Sequence, residues 1–149
     1  MPDGSHPLRA LRHRNFRLFF AGQTVSLVGT WVTRIATSWL IYRLTESAWM
    51  LGLVSFLGLA PTLVFGPAAG VLVDRWDRHR ALVATQALSL AQSAALAWLA
   101  FAGSLTVPAV LALQLAQGLI NAVDTPARQA FVTQLVEDRA DLPNAIALN

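Results

Sequence analysis

The sequence predicts an all-α protein, a polytopic bundle of membrane-spanning helices, on three observations. Of its 149 residues, 55% are hydrophobic and 13% charged, and the mean hydropathy is +0.51; soluble domains carry about 25% charged residues. Two uncharged apolar runs, residues 48–73 and 81–123, flank one short charged hairpin, and an uncharged apolar stretch of about 18 residues or more reads as a membrane span. The basic residues, all eleven of them arginine, cluster at the ends of the apolar runs and form no single soluble face.

Residues 1–17 read as a basic N-terminal segment and residues 18–149 as the transmembrane bundle. Arg9, Arg12, Arg14 and Arg17 lead into an apolar run too long for the core of a cleaved signal peptide. The first span covers residues 18–42 and the second residues 48–73, the second carrying Pro61 and Pro67. Residues 81–123 are too many for one crossing at about 1.5 Å per residue. Gly103-Ser104 and Pro108 divide them into a third span over residues 82–102 and a fourth over residues 107–124. Ala127 to Val136 has the pattern of a separate short amphipathic helix. A fifth helix begins near Pro143 and the chain ends about two turns later, so truncation is expected.

Arginine placement sets the orientation. The N-terminal cluster, the hairpin residues Arg75, Arg78 and Arg80, and the tail residues Arg128 and Arg139 fall on one side; Arg43 alone falls on the other. The positive-inside rule therefore places the N-terminus in the cytoplasm. Trp39, Tyr42 and Trp49 then gather at the outer interface, as aromatic belts do.

Two spans carry polar stripes that lipid would not require. Gln23, Ser26, Thr30, Arg34 and Thr37 recur at helical spacing over an arc of about 80°. Gln114, Gln117, Asn121, Asp124 and Arg128 do the same on the fourth span. Such residues either hydrogen-bond between helices or line a common polar cavity, and five in register on each of two helices favour the cavity. Arg34 is the only charge well inside a span; it faces the cavity or snorkels outward. Asp124 pairs with Arg128 four residues on, or with the hairpin. On the second span Gly66 and Gly70 belong to a small-residue face suited to helix packing. The third span, rich in Ala and Leu with Gln86 and Gln92 scattered along it, reads as structural.

Several function classes find no support. There is no cysteine, so disulfide scaffolds and thiolate metal sites are excluded. His6, His13 and His79 lie in basic surface segments away from any metal-ligand or triad spacing. The glycines show no phosphate-binding loop or dinucleotide fingerprint. With the arginines placed for topology, nucleic-acid binding is not expected either, despite a pI near 11.0. No catalytic residue, metal or cofactor is expected.

The hairpin Gly70-Val71-Leu72-Val73-Asp74-Arg75-Trp76-Asp77-Arg78-His79-Arg80 resembles the signature loop between the second and third helices of the major facilitator superfamily. Leu11-Arg12-His13-Arg14-Asn15-Phe16-Arg17 before the first span, and Asp124-Thr125-Pro126-Ala127-Arg128-Gln129-Ala130-Phe131 after the fourth, are similar to its bacterial branch of enterobactin-exporter-like transporters, the transmembrane secretion effectors. Leu142 to Asn149 resembles the start of that branch's fifth helix. The resemblance covers the whole chain but only the first third of a twelve-helix transporter.

The resemblance implies a secondary active exporter of a small molecule, siderophore-like or drug-like, in the bacterial inner membrane. It implies alternating access, with a proton as coupling ion and a C-terminal half as partner. Gly70 would permit close packing, Asp74 would anchor the loop, and Arg75, Arg78 and Arg80 would be its basic partners in a latch between the two halves. Two positions depart from the pattern. Asp77 stands where the loop usually has glycine, and Gln114 stands where an arginine four residues before Gly118 is expected, which leaves the proton route open. The alternative is a small four-helix protein acting as an oligomeric transporter or a membrane scaffold. The first class usually needs a carboxylate in the first span, which here carries only Arg34.

Overall fold

The computed structural model of the protein describes residues 13–135, and within them the chain forms four α-helices and no strand. The segments beyond, including the expected fifth helix near Pro143, lie outside the described residues.

Helix α1 spans Arg14–Thr45 and ends where Glu46 turns into the left-handed region at φ 49, its N–H donating to Tyr42 O. Two residues later α2 begins, spanning Ala48–Asp74. So short a link makes α1 and α2 antiparallel neighbours. Arg75 and Trp76 close the next turn, and Asp77 caps α3 (Arg78–Phe101) by accepting a hydrogen bond from the Arg80 N–H at 3.0 Å. The α3–α4 turn uses Gly103 at φ +66, a conformation that favours glycine because no Cβ opposes it. Helix α4 runs over Val107–Leu135, with Pro108 in its first turn, where a missing N–H costs nothing.

At about 1.5 Å per residue the four helices are about 36 to 48 Å long, each longer than the roughly 30 Å hydrocarbon layer. Three of them, Ala48–Asp74, Arg78–Phe101 and the Val107–Val132 portion of α4, are also apolar enough to cross a membrane. Helix α1 has the length but a lower hydropathy, because its inner face carries the polar stripe. Its outer face is apolar and exposed along Val25, Val28, Val32, Ile35 and Trp39, which recur at steps of three and four. Such a surface has a place only against lipid or another helix. The separate amphipathic helix expected over residues 127–136 is instead the continuation of α4, which passes through Pro126 without ending.

Helix α4 is the centre of the bundle and packs most extensively against α2, then α3. The α2–α4 crossing is fixed at two glycines. A Cβ on Gly118 would lie 2.6 Å from Leu57 O and 2.9 Å from the Pro61 ring. Pro61 has no N–H for the Leu57 carbonyl, and α4 meets that point of α2 with its glycine. Thr62 donates to Gly118 O at 3.4 Å, and Gly58 lies against the Gln114 side chain. Among the described residues nothing approaches Gly66 or Gly70 within 4 Å of a built Cβ. The close packing expected there falls one and two turns earlier on α2.

The apolar core is split in two. At one end Ile41, Val54, Leu96 and Val110, one from each helix, form a buried cluster. At the other, beside the α2–α3 hairpin, Val73, Ala81, Leu82 and Ala127 do the same, with Phe19 and Phe131 against them. Apolar side chains thus gather at both ends, and most of the polar residues lie between them.

Candidate functional site

Between the two apolar clusters lies a cavity of about 380 Å³, within the size range of small-molecule sites. All four helices line it. Helix α1 contributes Ser26, Thr30, Arg34 and Thr37, and α4 contributes Gln114, Gln117 and Asn121. The two polar stripes therefore face one space. Gln23, Asp124 and Arg128 are the exceptions: they lie toward the hairpin end, Gln23 and Arg128 in a second groove of about 370 Å³ with Phe19, His79 and Phe131.

Helix α3, expected to be structural, supplies Gln86, Ser89, Gln92 and Ser93 to the cavity wall. Ser55 and Gly58 of α2 and Thr33 and Ser38 of α1 join them. The signal on α3 was its spacing: 86, 89 and 93 fall on one face of a helix.

The hydrogen bonds show what holds the wall. Gln117 donates both amide hydrogens, to Ser89 Oγ at 3.2 Å and Asn121 Oδ1 at 3.0 Å. Its own Oε1 is buried with no donor. Thr30 and Thr37 donate their hydroxyl hydrogens back to Ser26 O and Thr33 O, one turn earlier on α1. Gln92 donates to Leu113 O at 3.3 Å, tying α3 to α4. The polar residues thus do both jobs that the sequence left open: some join helices, and the same side chains face a cavity. Arg34 lies against Trp31, its guanidinium carbon 5.5 Å from the ring centroid.

A second polar cluster sits below the cavity, toward the hairpin. Asp124 is buried and accepts from Thr85 Oγ1 at 2.6 Å and Gln86 Nε2 at 3.1 Å. Its other carboxylate oxygen takes a bidentate pair from Arg128 through Nε, at 3.1 Å, and Nη2. Of the two pairings open for Asp124, the local one with Arg128 forms. Ser26 donates to Gln86 Oε1 at 3.1 Å, so one polar chain runs from α1 through α3 to the α4 ion pair. Among the described residues no buried side-chain oxygen or nitrogen of this polar chain lacks a partner, as a buried ion pair requires.

The hairpin residues behave differently. Asp74 is exposed and reaches Arg78 at 4.0 Å, while Arg78 Nη1 also donates to Ala130 O at 3.5 Å. Asp77 lies 4.0 Å from Arg80. The Arg80 backbone N–H, then the Arg80 charge, hold the Asp77 carboxyl below its ordinary range. Arg75 and Trp76 are exposed. The loop is a charged surface turn with its acid, Asp74, accessible.

An all-helical bundle with exposed apolar outer faces and a polar cavity at mid-depth defines a polytopic membrane protein. The chain belongs to the transmembrane secretion effector family of the major facilitator superfamily, whose model matches residues 5–149. It is similar to macrolide efflux protein A of Streptococcus pyogenes, 34% identical over 131 residues, which are 85% of this chain and 32% of that protein. It is also similar to the staphyloferrin A transporter of Staphylococcus aureus, 27% identical over 134 residues, 89% of this chain and 34% of that one. The chain spans about a third of the length of these curated relatives. No solved structure gives a significant match.

Proposed function

We propose that this chain is the N-terminal part of a proton-coupled exporter that works by alternating access in the bacterial inner membrane. The observation that carries the reading is the polar cavity lined by all four helices and lying between two apolar clusters. Midplane cavities of that kind hold substrate in transporters built from helical halves. In this reading α1 is the first of four spans, the N-terminus and the hairpin are cytoplasmic, and a second half supplies the remaining cavity wall. Exposed Asp74, with Arg75, Arg78 and Arg80 around it, forms one side of a latch to that half. Gly70 leaves room for it, and the Asp77 cap holds the loop in shape. Efflux is favoured as the direction because relatives at 34% identity are macrolide efflux proteins.

The test is the accumulation of a labelled macrolide, and the release of labelled staphyloferrin A, in cells that express the intact protein. The expected outcome is lower accumulation or faster release than in control cells, abolished by a protonophore. Export that persists after the proton gradient is collapsed sinks the coupling. Equal behaviour of expressing and control cells for both compounds sinks the exporter reading for these two classes.

A further inference from the structure

The cavity's charge and its hydrogen-bonding groups narrow the ligand beyond the transporter class, an inference that rests on the exporter reading. Arg34 is the one charged side chain among the described residues that line the cavity, and none of the described acids lines it. Among the described residues its one charge-related contact is the Trp31 ring, and no carboxylate pairs with it. The nearest acid along the polar chain, Asp124, is already engaged by Arg128, Thr85 and Gln86. The part of the cavity built by this chain therefore carries one positive charge that no described carboxylate neutralises, on an exposed side chain at its rim that an anion can reach.

The neutral groups point the same way. Thr30 and Thr37 spend their hydroxyl hydrogens on their own helix, which leaves their oxygens as acceptors. Gln117 is pinned by both amide hydrogens, so its buried Oε1 faces no donor and the side chain cannot turn to find one without breaking two bonds. That oxygen has no room beside it even for a water, so the acceptor left open to a ligand is that of exposed Thr30. What the wall lacks is a donor on the ligand and a negative charge for Arg34.

We propose that the cavity binds a hydroxyl-rich oxyanion. Its anionic group lies on the Arg34 guanidinium, whose planar fork matches a carboxylate or a phosphate in two parallel bonds. One of its hydroxyls donates to Thr30 Oγ1. A permanently cationic ligand has no counter-charge in this wall and meets Arg34 as a like charge. The charge and the open acceptor both come from α1, whose polar stripe faces that of α4 across the space.

The experiment is equilibrium binding to the intact protein, purified in detergent, with labelled citrate, glucose 6-phosphate and tetraphenylphosphonium. Citrate or glucose 6-phosphate should bind and tetraphenylphosphonium should bind more weakly; which of the two anions is tighter separates a carboxylate from a phosphate ligand. Arg34→Gln should weaken the anion by about tenfold or more, the scale of a lost charge-assisted hydrogen bond. Arg34→Lys, which keeps the charge, should retain part of the affinity. Gln117→Glu should weaken it as well, by placing a carboxylate in the wall. Unaltered elution and melting of the variants show that they are folded. Anion binding unchanged in Arg34→Gln, or cation binding that exceeds both anions in the unmodified protein, overturns the proposal. If proteoliposomes extrude the cation while neither anion binds, the ligand class falls and the exporter reading stands. If none of the three solutes binds, the ligand class falls, and the exporter reading is decided by the macrolide and staphyloferrin A assays.

Discussion

At the scale of single residues, Asp124 and Gly118 carry opposite kinds of constraint. Asp124 is buried, with two neutral donors and a bidentate arginine on its carboxylate. Removing one member of a buried pair strands the other charge, at a cost of about 3 kcal/mol or more. Asp124→Leu should therefore lower thermal stability in detergent clearly, because Arg128 is 16% exposed and has little water to turn to. The paired change Asp124→Leu with Arg128→Met should recover most of the loss, because it strands no charge. A double variant as unstable as the single one would show that the hydrogen bonds, and not the charge, matter. Gly118 is constrained by space. Gly118→Ala puts a methyl 2.6 Å from Leu57 O, a backbone atom that cannot move aside, and should cost about 1–3 kcal/mol as overpacking. Gly66→Ala meets nothing within 4 Å and should be neutral or stabilising, since alanine is the better helix former. Melting curves of the two variants side by side separate a crowded glycine from a free one.

At the scale of helices, the start of α3 depends on Asp77. Its carboxylate caps the helix through the Arg80 N–H and is held below the ordinary carboxylate range by that bond. A group whose folded pKa is depressed stabilises the fold above its unfolded pKa and loses that effect as pH falls through the folded value. The melting difference between the unmodified protein and Asp77→Ala should be full near neutral pH and vanish at strongly acidic pH. A difference that stays constant across that range would mean the cap does not act through its charge. Helices of this kind are largely legible in sequence because their causes are local. The breaks read from Glu46, the charged hairpin and Gly103-Ser104 each coincide with a turn in the structure. The inward faces of α1 and α4 were legible for the same reason: a polar stripe at helical spacing has one natural direction in a bundle. What was not legible depended on neighbours. The role of α3 needed knowledge of which face it turns to α4, since Gln86 and Ser89 matter only through Asp124, Ser26 and Gln117. Which small residues of α2 meet α4 was not legible for a similar reason. Gly66 and Gly70 have the right spacing, but the crossing point is set by Pro61 on one helix and Gly118 on the other, and no single-helix pattern contains that. The continuation of α4 through Pro126 likewise needed its C-terminal turns to be packed against Phe19 and the α3 start.

At the scale of the whole molecule, the question is which way the bundle sits in the membrane, and the charge distribution makes a specific forecast. The α2–α3 turn carries Arg75, Arg78 and Arg80, and the α3–α4 turn carries no charge at all. Helix α3 joins these two turns, and its 24 residues give a length of about 36 Å, enough to put them on opposite sides. The positive-inside rule places the arginine turn in the cytoplasm. Because this chain contributes no cysteine, single cysteines can be introduced at the exposed positions His79 and Ser104 and read by labelling. A membrane-impermeant maleimide added to intact cells should label Ser104→Cys and should reach His79→Cys only after the membrane is opened. The reverse pattern would invert the bundle and move exposed Asp74 to the outside, away from any cytoplasmic latch. Labelling of both positions in intact cells would mean that α3 does not cross, and with it the cavity between the two apolar clusters would lose its place at the middle of the membrane.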